Sequence, residues 1–186
     1  MNETTLSLTG IGGQGVQLCA QVLAQAAVIE GKHTMLFGVY GGAMRGMNTD
    51  ATLVVGDGPL RSPPLLSHTD SAIAMHDKFF GPIASKLNDG ALVLVDDSTF
   101  ETALDTARYD VVRVPANERA AAGGHPMGAS LVMAAAYAAR SGMVGLDALV
   151  DGMRESIPSY RVQHIAANEL ALRDGWEWAR REGALT

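Results

Sequence analysis

Gly10-Ile11-Gly12-Gly13-Gln14-Gly15 limits what this chain can fold into more than any other stretch. Before it, Thr5-Leu6-Ser7-Leu8-Thr9 reads as a short buried strand. After it, apolar residues fall at Val16, Cys19, Val22, Leu23, Ala26 and Ala27, the spacing of one helix face. The glycines therefore mark a strand-to-helix junction. Glycine there permits the tight turn and lets the backbone come close to a ligand. The helix start adds unpaired N–H groups and the positive end of its dipole. A phosphate or another anion is the expected guest, and Gly10, Gly12 and Gly15 fit the G-x-G-x-x-G spacing. A tight connection that binds nothing remains the plainer alternative.

The next strand tests that expectation. His33 to Phe37 reads as a strand, ending in Gly38-Val39-Tyr40. A dinucleotide-binding fold puts an Asp or Glu about 20 residues past the glycines to hold ribose hydroxyls. No acid stands at this strand end, and Glu30 falls too early, which counts against NAD or FAD. A phosphate-binding Walker loop fails too, because Val16 follows the last glycine where lysine is required.

A second glycine-rich loop follows, Tyr40-Gly41-Gly42-Ala43-Met44-Arg45-Gly46. Arg45 is the only charged residue between Lys32 and Asp50. Its planar fork suits a carboxylate or phosphate, and an α/β sheet would bring this loop beside the first one. Tyr40, Gly41, Arg45 and Gly46 thus join Gly10, Gly12, Gly13, Gln14 and Gly15 as candidate binding residues.

Strands are also expected at 49–55, 71–75, 91–95 and 109–114, with a helix from Asp77 to Leu87 closed by Asn88-Asp89-Gly90. Gly56-Asp57-Gly58, followed at once by Pro59, is turn chemistry. Asp96-Asp97-Ser98 reads as a turn and helix cap rather than a metal site. About six strands alternating with helices predict an α/β class fold: an open, mostly parallel, Rossmann-like sheet with flanking helices. From Ala116 the character changes. Ala120 to Pro126 reads as a turn, Met127 to Arg140 as an alanine-rich helix, Leu146 to Glu155 as another, and Arg161 to Arg181 as a last long one. The expected organisation is a single domain over 1–186, with a sheet core at 1–115 and a helical extension at 116–186.

Composition removes several function classes. With 14 basic and 20 acidic residues the net charge is −6, and aromatics make up 5%, so a nucleic-acid partner is not expected. One cysteine, Cys19, cannot form an internal disulfide or hold an iron–sulfur cluster alone, and reads as a small buried side chain. The five histidines lack paired metal spacing, and His125, in a loop beside Gly124, is the one placed for a site role. No apolar run reaches about 18 residues, and no charged-then-apolar leader opens the sequence. A cytoplasmic location without a membrane partner is the expectation.

These stretches together resemble the gamma subunit, or gamma domain, of the 2-oxoacid:ferredoxin oxidoreductases. The opening Gly-x-Gly-Gly-Gln-Gly is matched at Gly10 to Gly15, and Tyr-Gly-x-x-x-Arg-Gly at Tyr40, Gly41, Arg45 and Gly46. Pro59 to Pro63 with Asp70, and Asn168 with Gly175, are similar to later family features. Gly123 to Ala129 departs from the family pattern. The resemblance implies a multi-subunit enzyme that oxidatively decarboxylates a 2-oxoacid to an acyl-CoA. It places thiamine diphosphate, Mg²⁺ and iron–sulfur clusters on partner subunits, with coenzyme A as a ligand this chain helps to bind. It implies no catalytic residue here. A purely structural assembly subunit, or a free-standing nucleotide-binding protein, are the alternatives.

Overall fold

The computed structural model describes residues 3–40, 46–62 and 65–183. Six strands form one sheet: β1 (Glu3–Ile11), β2 (His33–Tyr40), β3 (Asn48–Gly56), β4 (Thr69–Ala74), β5 (Leu87–Asp96) and β6 (Asp110–Val114). Their order across the sheet is β2-β3-β1-β4-β5-β6. β1, β4, β5 and β6 pair in parallel, while β3 is antiparallel to both β1 and β2. Five strands therefore run in one direction and β3 alone runs against them, which accords with the mostly parallel expectation. α1 (Val16–Ile29) carries the chain from β1 to β2, and the β3-to-β4 connection takes it to the other side of β1. The order of strands thus reverses at β1, and such a switch point leaves a crevice at the carboxyl ends of the strands.

β1 shows how its sequence serves two faces. Leu6 and Leu8 alternate with Thr5, Ser7 and Thr9, and all five are buried. The leucines join the main core with α1, α4 (Ala129–Ser141), α5 (Leu146–Ser156) and α6 (Ile165–Gly183). On the other face Thr9 Oγ1 donates to Asp50 Oδ1 at 2.7 Å and Thr5 Oγ1 to Asp70 Oδ2 at 2.7 Å, so both threonine hydroxyls are satisfied. That face is covered over β4 and β5 by a smaller cluster built on Phe80, Ile83, Phe100 and Tyr109. Over β2, Phe37 and Val39 stay exposed.

Three local expectations are corrected. Residues 77–87 are not one helix: a 3₁₀ turn (Asp77–Phe79) and the single turn α2 (Gly81–Ala84, with Pro82) precede β5, which already begins at Leu87. Asn88 to Gly90 falls inside β5, where pairing jumps from Thr69↔Leu87 to Ser71↔Leu92. Ala116 to Ala122 is a helix, α3, so the expected turn shrinks to the residues after it. Four alanines in its seven residues explain that preference. The last helix starts at Ile165, not Arg161: a 3₁₀ segment (Ser159–His164) precedes it, and Arg161 departs from helical geometry at φ −121° and ψ 15°.

Two glycines set how the helices meet. A Cβ on Gly175 of α6 would stand 2.8 Å from Val132 Cα, and one on Gly152 of α5 would stand 2.8 Å from Ala26 N. Backbone-to-backbone packing is possible only because those side chains are absent. It draws α6 over α4, and α5 over α1.

Candidate functional site

The glycine loop is held from inside. Gln14 accepts the Ile11 N–H on Oε1 at 2.7 Å and donates from Nε2 to the Met75 carbonyl at 2.8 Å. Thr99 Oγ1 donates to that same carbonyl at 2.6 Å. One backbone oxygen at the end of β4 thus ties together the segments that follow β1 and β5. Gly10 leaves no room for a side chain, since its Cβ would stand 2.8 Å from Val16 Cγ2 and 2.9 Å from Gln14 Oε1. Gly15, with φ 84°, is the left-handed cap of α1, and its Cβ would stand 2.8 Å from Ser130 Cβ. Gly13, with φ 108°, faces open space.

The described end of the second loop, Gly46, lies beside the first loop. The Gly12 N–H donates to the Met47 carbonyl at 2.8 Å, and the Gly46 N–H to the Gly12 carbonyl at 3.5 Å. Gln17 Nε2 adds a bond to the Asp50 carbonyl at 2.8 Å. The two glycine loops are therefore joined through Gly12 and Gly46. Gly41 and Arg45 lie outside the described residues, as does the side chain of Tyr40.

Above the carboxyl ends of β1, β4 and β5 lies a cavity of about 780 Å³. Gly12, Gly13, Gln14 and Gly15 line it, whereas Gly10 and Gly46 do not. Its opposite walls come from the chain's last third, through His125, Ser130, Arg161, His164 and Asn168. Neither α1 nor α4 carries a side-chain cap at its N-terminus, and both starts line the cavity. Two dipole ends and their free N–H groups favour negative charge there. His125 Nε2 is paired with Asn168 Oδ1 at 2.9 Å, and its ring stacks on His164 at 6.0 Å.

The family model described as pyruvate ferredoxin/flavodoxin oxidoreductase matches residues 5–178. The chain belongs to this family. The ketoisovalerate oxidoreductase subunit VorA of Methanothermobacter thermautotrophicus is 33% identical over 181 residues, which cover 96% of this chain and 37% of VorA. The chain thus spans little more than a third of that relative. The gamma subunit of a keto/oxoacid ferredoxin oxidoreductase from Geobacter sulfurreducens superposes with a TM-score of 0.82 at 24% identity, covering 97% of this chain and 98% of that one. The 2-oxoglutarate:ferredoxin oxidoreductase from Magnetococcus marinus, solved with 2-oxoglutarate, coenzyme A and succinyl-CoA bound, superposes at 0.81 with 14% identity, over 97% of this chain and 32% of that one. Both structures share this fold.

In this member of the pyruvate ferredoxin/flavodoxin oxidoreductase family, the cavity also holds residues that pattern reading passed over. Asp96 closes β5 and is 3% exposed. It does form the expected turn, accepting from the Ser98 N–H at 3.2 Å and the Ser98 hydroxyl at 2.9 Å, but it caps no helix, since β6 is the next element. It also accepts from Asn117 Nδ2 at 2.8 Å and lines the cavity. Burial pushes its carboxyl above the ordinary carboxylate value, with the Ser98 bonds pulling the other way. The rule that α/β sites gather at carboxyl strand ends would have found Asp96 and Asn117. Nothing local marks Arg161 or His164. Cys19 is fully buried, as expected, and burial pushes its thiol far up. Among the described residues no helix is long and apolar enough to cross a membrane.

Proposed function

We propose that this chain is the gamma-type unit of a 2-oxoacid:ferredoxin oxidoreductase. The complex would convert a 2-oxoacid and coenzyme A to an acyl-CoA and CO₂, passing two electrons to an iron–sulfur acceptor. Thiamine diphosphate, Mg²⁺ and the clusters would sit on partner subunits, since one buried cysteine cannot ligate a cluster. This chain's share is binding and shaping. The observation that carries the reading is the cavity into which two uncapped helix starts and the glycine loop converge. It suits the pyrophosphate of coenzyme A, and we assign Tyr40, Gly41, Arg45 and Gly46 to binding the same ligand. The test is to purify the chain from its source with its natural partners and follow 2-oxoacid-dependent dye reduction. The expected result is co-purification with thiamine- and cluster-bearing chains and a saturable dependence on coenzyme A. Full activity of the isolated chain would refute the reading.

One observation favours a second reading, a purely structural assembly role. Gly10, Gln14 and Gly15 are each explained by contacts within the fold. On that reading the glycine loop serves packing, and widening the cavity mouth would leave the Michaelis constant for coenzyme A unchanged.

A further inference from the structure

Most of the described arginines are tied to an acid, and Arg161 is not. Arg113, Arg119, Arg154 and Arg173 each hold a carboxylate oxygen at 3.0 Å or less. Arg161 lines the cavity, and among the described residues its guanidinium has no carboxylate partner. Its guanidinium lies over the ring of Tyr160, 5.5 Å from the centroid. In a chain with six excess negative charges, a cation left without an acid at a cavity mouth is available to an anion from outside.

Asp96 has the complementary property. A carboxylate offers about four acceptor positions. Three are taken here, two on Oδ1 by Ser98 and one on Oδ2 by Asn117. The remaining position on Oδ2 belongs to the only acid lining the cavity among the described residues. Arg161 and Asp96 lie on different walls, the first before α6 and the second at the end of β5. We propose that the cavity takes a phosphorylated nucleoside in one fixed direction. Its phosphates meet the Arg161 guanidinium and the starts of α1 and α4, and a hydroxyl or amino group donates to Asp96 Oδ2. The acid that a dinucleotide fold supplies after its second strand is thus supplied after β5. The inference rests on the coenzyme A reading, because coenzyme A is such a molecule.

The test is calorimetric titration of the assembled complex with coenzyme A, ADP and inorganic pyrophosphate. Arg161→Gln should weaken all three by about tenfold or more, and Arg161→Lys by less. Asp96→Asn should weaken ADP and coenzyme A while leaving pyrophosphate within twofold. Arg161 is exposed, so an unchanged unfolding midpoint accompanies its variants. If wild type binds coenzyme A and Arg161→Gln leaves all affinities within twofold, this inference falls and the functional reading stands. If Asp96→Asn weakens pyrophosphate as much as ADP, the fixed direction is wrong. If wild type binds none of the three, both readings fall.

Discussion

Gly15 and Ser130 touch at the point where the start of α1 meets the start of α4: a Cβ on Gly15 would stand 2.8 Å from the serine Cβ. The contact joins the first helix to one more than a hundred residues later, and both helix starts open into the same cavity. Gly15→Ala meets two penalties, the left-handed φ of 84° and this overlap. The expected loss is about 2–4 kcal/mol, read as a lower denaturant midpoint at unchanged slope. A loss below about 0.5 kcal/mol, within the range of neutral surface changes, would show that the contact is not tight.

Gln14 gives a second expectation. Gln14→Ala strips the Ile11 N–H of its partner and should cost about 1–3 kcal/mol. Gln14→Glu keeps the acceptor but sets a carboxylate oxygen against the Met75 carbonyl, so it should be no more stable than the alanine variant. Chemical denaturation of the three proteins ranks them, and a glutamate variant matching wild type would contradict the geometry.

The α4–α6 crossing predicts a contrast between two glycines. Gly175→Ala places a methyl 2.8 Å from Val132 Cα and closer still to its carbonyl oxygen, so the helices must separate. A loss of about 1–3 kcal/mol is expected. Gly81→Ala, with nothing within 4 Å of the added carbon, should be neutral or stabilising by up to about 1 kcal/mol. Thermal unfolding of the pair settles the comparison, and equal shifts would count against close helix contact.

Asp96 predicts a pH effect whose sign follows from its raised folded-state value. Between the ordinary value of 3.8 and the raised one, the folded protein holds more protons than the unfolded chain. Its contribution to stability is therefore full at low pH and declines as pH rises through that window. Asp96→Asn removes this decline. Urea midpoints measured from pH 3.8 upward should fall less steeply, or rise more steeply, in the variant. Parallel profiles would refute it.

The parts of the fold carried by local periodicity were readable from sequence. Ala91 to Val95 announces a buried strand, and Gly10 to Gly15 announces the junction before Val16. The meeting of Gly46 and Met47 with the first loop follows from pairing, because Asn48 at the start of β3 lies opposite Ile11 at the end of β1. The absence of an acid after Phe37 has a topological reason: β3 lies between β1 and β2, so the end of β2 is not beside the crevice. Arg161 and His164 could not be read, since a 3₁₀ segment has no periodic signature over six residues and its partners lie far away in sequence. Asp96-Asp97-Ser98 has the pattern of a turn and helix cap, and the turn forms without the helix. The second role of Asp96 depends on Asn117, which only the packed structure brings to it.

The two-walled cavity also fixes when in the life of a nascent chain the site can exist. Its glycine wall is made within the first 18 residues, and its far wall not until Asn168 has been added. At ordinary synthesis rates that interval is on the order of ten seconds or more. During it the loop has neither Arg161 nor the His125–Asn168 pair opposite it. A ligand of this cavity therefore cannot template the early sheet. It rewards only a chain that has already laid α6 across α4, and so acts as a late check on completed folding.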